Sequence, residues 1–161
     1  MRKLTPADTA LILLIVAFAT IAGAWIFESF GYLPCDLCLK QRWAYYIGVP
    51  LAGLTWLAAL RGMGAARAGL WLAAAIFLGS AVFGAYHAGV EWGFWPGPTG
   101  CTGSAASVGS MDDFMKQLQN VQIVRCDEVA LRILGLSLAG WNAVISAAMS
   151  ALAIFGARAK A

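Results

Sequence analysis

Charge is what this 161-residue chain lacks most. Only 12% of its residues are Asp, Glu, Lys or Arg, while 61% are hydrophobic. A soluble domain of this length needs a far more polar surface, so a water-soluble globule is excluded. Charge is absent altogether from Thr9 to Phe27, Trp43 to Leu60, Ala68 to Val90 and Ile133 to Ala157. A helix needs roughly 20 apolar residues to cross the hydrocarbon core. In lipid, each segment must satisfy its own backbone hydrogen bonds, and a helix does so. The alternating pattern of barrel strands is missing. So is any internal repeat at solenoid or propeller periods. The expectation is a single integral membrane domain over 1–161, with helices at about 9–29, 43–60, 68–88 and 133–156. Connecting loops fall at about 30–42 and 89–132. A signal peptide is the alternative for the first run, with "AGA" at Ala22 to Ala24 as a cleavage site. The run is longer than the roughly 7–15 residues of such a segment, which favours a span.

The few charges orient the chain. Arg2, Lys3, Arg61, Arg67, Arg158 and Lys160 lie on one side with a single acid, Asp8. Lys40, Arg42, Lys116, Arg125 and Arg132 lie on the other with seven acids. The positive-inside rule puts both termini in the cytoplasm and both longer loops outside. The net charge of +3 therefore divides into +5 inside and −2 outside and gives no sign of nucleic-acid binding. The four cysteines, Cys35, Cys38, Cys101 and Cys126, all fall on the outer side. In a bacterium that is the oxidising periplasm, where disulfides persist.

Gly31 and Pro34 are expected to end the first helix, placing "CDLC" at residues 35–38 where the second span begins. If Cys38 is helical, Arg42 lies one turn below it on the same face. The outer loop of about 89–132 is too long for a mere connector. Pro96, Gly97, Pro98 and Gly100 make its start irregular, and "TGSAASVGS" after Cys101 is small and flexible in composition. Met111, Phe114, Met115, Leu118 and Val121 then recur at helical spacing behind a Ser110/Asp113 capping box. That predicts a short surface helix, lying on the membrane or packed on the bundle; the pattern fits both equally.

Three roles suit the cysteines: structural bridges, a four-thiolate zinc site, or thiol–disulfide redox catalysis. Zinc ribbons usually supply two close pairs, and here only one pair is close. Attachment of c-type haem is excluded, because Leu39 and not His follows the C-x-x-C. Arg42 tips the balance towards redox chemistry. It could simply snorkel at the interface. Together with the helix N-terminus it would also lower the pKa of Cys38, leaving a thiolate at the lipid edge to face a lipid-soluble oxidant.

These motifs resemble the disulfide bond formation protein B (DsbB) family of bacterial inner membranes. The resemblance rests on Pro34-Cys35-x-x-Cys38 with Arg42 four residues on, and on Tyr86-His87 near the end of span three. It continues through the Pro-containing run to Cys101 and through Cys126 followed by "LGLSLAGWN". It covers nearly the whole chain, departing in the long small-residue stretch after Cys101. It implies an all-α, four-transmembrane-helix bundle with a short surface helix in the second periplasmic loop. It also implies a thiol:quinone oxidoreductase. Cys35 and Cys38 would form the membrane-proximal pair and Cys101 and Cys126 the pair facing a DsbA-like periplasmic thioredoxin-fold partner. Arg42 and His87 would lie at the site of a ubiquinone or menaquinone, with no metal. A vitamin K epoxide reductase-like enzyme carries its C-x-x-C on a later span, which makes it the weaker fit. A non-catalytic membrane protein with disulfide-stapled loops is the rival of a different class.

Overall fold

The computed structural model describes residues 4–98 and 125–159. Its helices are α1 (Pro6–Ser29), α2 (Asp36–Leu60), α3 (Ala65–Glu91) and α4 (Leu138–Arg158). All four are long and apolar enough to cross a membrane. Strands β1 (Arg132–Ile133) and β2 (Leu136–Ser137) form a small antiparallel hairpin just before α4. Cys101 and the surface helix expected from Ser110 to Val121 lie outside the described residues.

Local chemistry sets the helix ends. Thr5 caps α1, and Asp8 completes a reciprocal capping box. Gly31, at φ +94°, turns the chain out of α1. Cys35 caps α2, its sulfur accepting from the Cys38 backbone N–H. Helix α2 thus starts seven residues before the charge-free stretch at Trp43. Its charged first turns are tolerated because Lys40 pairs with Asp36 at 2.6 Å and Arg42 with Glu28 at 2.6 Å. Helix α4 starts later than the loss of charge at Ile133, because residues 132–137 are used as the hairpin. The two turn residues, Leu134 (φ +53°) and Gly135 (φ +83°), both have positive φ, as tight hairpins require. Ser137 then caps α4 through Gly140 N–H at 3.1 Å.

The helices pack as a closed bundle, with the closest pairings α3–α4, α1–α2 and α2–α3. Lipid offers no hydrophobic drive between helices, so small residues that permit close approach decide the contacts. Gly84 of α3 is one. A Cβ there would lie 3.0 Å from the Ala143 backbone nitrogen on α4. Gly48 of α2 is another, with the Phe77 ring filling the space a Cβ would take. Leu13, Tyr45, Leu70, Phe77 and Met149 form the buried centre. Phe18, Leu54, Val82 and Phe155 point outward, as side chains facing lipid should.

Candidate redox centre

The turn through Gly31 and Pro34 delivers Cys35 to the N-terminus of α2, just outside the spanning segment. The first helical turn brings Cys38 back over it. The two sulfurs lie 2.9 Å apart as free thiols, and the Cys38 backbone N–H donates to Cys35 Sγ at 3.3 Å. The hydrogen bond to Cys38, reinforced by burial, pushes the Cys35 thiol up to about 12, with His87 opposing the shift. Cys126 is also buried and joins Cys35 and Leu37 in one cluster, flanked by Cys38, Phe83 and Tyr86.

His87 is 1% exposed. Its Nε2 lies 3.6 Å from Cys35 Sγ and its Nδ1 2.7 Å from Gln41 Nε2. Cys35, Cys38 and His87 thus bring three donor atoms within 4.8 Å of one another. A tetrahedral zinc with Zn–S near 2.3 Å holds its sulfurs about 3.8 Å apart. The 2.9 Å spacing here is well short of that, so the two sulfurs are not spaced as two ligands of one zinc.

Arg42 sits one turn beyond Cys38 and is held by Glu28 of α1. Cys38 and Arg42 both line a cavity of about 580 Å³ between α1, α2 and α4. Ile15, Ala19, Phe27, Tyr32, Leu138 and Trp141 supply much of its apolar wall. Gln41, Tyr45 and Asn142 add polar groups at one side. A cavity of this volume, with an apolar wall and a few convergent polar groups, suits a small, largely apolar ligand. His87 is not in the cavity lining; the structure places it against Cys35 instead.

Gln41 and Asn142 are the site residues that sequence reasoning missed. Asn142 lies inside the last charge-free stretch, and a carboxamide within a span is the signal that could have marked it. Trp95 packs on Tyr86 beside the cysteine cluster. Its ring stacks on Tyr86 with centroids 5.9 Å apart, its Nε1–H donates to the Tyr86 carbonyl at 3.0 Å, and Gly89 leaves it room.

Four helices fit to cross a membrane, with a part-buried C-x-x-C dithiol at the end of one of them, define a multi-pass membrane protein suited to thiol–disulfide chemistry. The family model for the disulfide bond formation protein DsbB matches residues 6–156, and the chain belongs to that family. The disulfide bond formation protein B of Albidiferax ferrireducens is 32% identical to it over 145 residues, covering 81% of this chain and 79% of that one. No solved structure matches the chain. The family makes it a disulfide-formation protein with disulfide oxidoreductase activity.

Proposed function

We propose that the protein reoxidises a DsbA-type periplasmic dithiol protein and passes the electrons to a membrane quinone. One observation carries this reading: Cys38 and Arg42 stand together in the wall of an apolar cavity, while Cys35 and Cys126 share the buried cluster behind them. When bound, a ubiquinone or menaquinone supplies a two-electron, two-proton acceptor. Cys38 would face it, Arg42 would hold a ring oxygen through its guanidinium, and the apolar wall would exclude water. Cys101 would meet the partner and form the mixed disulfide, with Cys126 as the thiol it releases. Burial of Cys126 beside Cys35 supports an internal exchange between the two pairs. The expected setting is the bacterial inner membrane, with both termini cytoplasmic and the cysteines periplasmic.

A vitamin K epoxide reductase-like arrangement is less well supported, because the C-x-x-C here opens the second helix. The test is quinone reduction by purified protein supplied with a reduced DsbA-type protein. Steady turnover that disappears in Cys38→Ala is expected. Disulfides that resist glutathione-level reduction and ignore added quinone would instead mark structural bridges.

A further inference from the structure

His87 is the chain's one histidine, and among the described residues each of its ring nitrogens has one hydrogen-bonding neighbour. A neutral imidazole has one N–H and one lone pair, so its two neighbours cannot both be donors. Its state is tied to the direction of a part-buried hydrogen-bonded chain. The Tyr45 hydroxyl donates to Asn142 Oδ1 at 2.5 Å. Asn142 Nδ2 then donates to Gln41 Oε1 at 2.6 Å. Gln41 Nε2 is left to donate to His87 Nδ1 at 2.7 Å. With the chain running in this direction Nδ1 holds the lone pair, and the ring proton sits on Nε2, 3.6 Å from Cys35 Sγ; the Tyr45 hydroxyl can also accept, so turning both amides together would reverse the chain and put the proton on Nδ1. Turning over one amide alone would set donor against donor or acceptor against acceptor, at a cost of about 1–3 kcal/mol per orphaned buried group.

We propose that the Tyr45–Asn142–Gln41 chain fixes His87 as the Nε2–H tautomer and makes it a hydrogen-bond donor to the Cys35 sulfur. The inference rests on the reading of Cys35–Cys38 as a redox pair. On oxidation an S–S bond forms, two S–H bonds are lost, and two electrons and two protons leave for a quinone. On reduction the S–S bond breaks, and the same electrons and protons arrive from the Cys101–Cys126 dithiol, which becomes a disulfide. In either direction the Cys35 sulfur carries negative charge in passing, and an N–H already turned towards it stabilises that charge. His87 is then the donor, while Gln41 and Asn142 are positioning residues.

Because the chain has one histidine, ¹⁵N-histidine labelling gives a single pair of ring signals. In the reduced full-length protein, Nε2 should be the proton-bearing nitrogen and Nδ1 the bare one. A proton on Nδ1, or on both, overturns the proposal. Gln41→Glu replaces the amide donor with an acceptor, so the proton should move to Nδ1 or the ring should become doubly protonated. An unchanged Nε2–H in Gln41→Glu also overturns it. A second measurement needs neither quinone nor protein partner: exchange of the Cys35–Cys38 pair with a small dithiol. His87→Leu should slow it about tenfold or more, while His87→Gln, which keeps an N–H, should recover most of the rate. Equal rates in the two variants would leave His87 only a packing role. Failure of quinone turnover with the tautomer as stated would count against the proposed function and leave this inference standing.

Discussion

Glu28 at the end of α1 grips Arg42 of α2 in a 2.6 Å ion pair, and the same Arg42 side chain faces the cavity beside Cys38. The arginine is only 12% exposed, so this is no cation simply reaching for water. Glu28 aims it, and the planar guanidinium keeps further donors for a second partner.

Arg42→Gln should therefore slow quinone-dependent turnover about 10- to 150-fold or weaken quinone binding comparably. That range is what a charge-assisted hydrogen bond of roughly 1.5–3 kcal/mol supplies. Arg42→Lys keeps the charge without the fork and should fall between. Glu28→Gln removes an ion pair whose acid is 39% exposed, so solvent screening limits the effect to about fivefold. Steady-state kinetics against quinone concentration measure all three, with single-turnover partner exchange as the control. Unchanged quinone kinetics in correctly inserted Arg42→Gln would reduce Arg42 to an interfacial anchor.

Cys126→Ala should trap a covalent complex with a DsbA-type partner through Cys101, because the internal thiol able to displace the partner is gone. Non-reducing electrophoresis and peptide mapping locate the bond. A trap that forms through Cys35 instead would reverse the proposed electron path.

The spans were legible in the sequence because absence of charge is a strong signal over the length of a membrane helix. The starts of α2 and α4 were not. Asp36, Lys40 and Arg42 look like loop residues until Lys40 is seen to pair within its own helix and Arg42 with α1. Leu134 falls within the span expected at about 133–156, yet it occupies a hairpin turn, and its positive φ leaves no mark in hydropathy. Within the site, the Cys38–Arg42 relation followed from helical spacing alone. Gln41 meets Asn142 across 101 positions of sequence, and no local pattern reports such a contact. For the same reason the sequence could name His87 but not the sulfur it faces.

Gly84→Ala should loosen the bundle. The added Cβ would meet the Ala143 backbone and the Asn142 amide nitrogen at 3.0 Å, and backbone cannot rotate away. A cost of about 1–3 kcal/mol is expected from such overpacking. Gly79→Ala on the same helix meets nothing within 4 Å and should be neutral or slightly stabilising through helix propensity. Thermal unfolding in detergent compares the two, and equal midpoints would mean that α3 and α4 do not pack this closely.

The Cys35 thiol gives the last prediction, and its sign follows from the cause of the shift. Its hydrogen bond to Cys38 and its burial hold the proton on, pushing the thiol from 9.0 to about 12. Alkylation requires the thiolate. An ordinary thiol's rate levels off once the pH passes about 9, whereas the rate at Cys35 should still be climbing through pH 10. Near neutrality Cys35 should react at least about tenfold more slowly than an ordinary thiol. Cys38→Ala removes the largest cause and leaves burial, so the midpoint should move down without reaching the ordinary value. The measurement is the pH dependence of Cys35 alkylation by mass spectrometry in reduced protein carrying Cys101→Ala and Cys126→Ala, with and without Cys38→Ala. A Cys35 profile that levels off near pH 9 in both backgrounds would rule out the shared hydrogen bond as the cause.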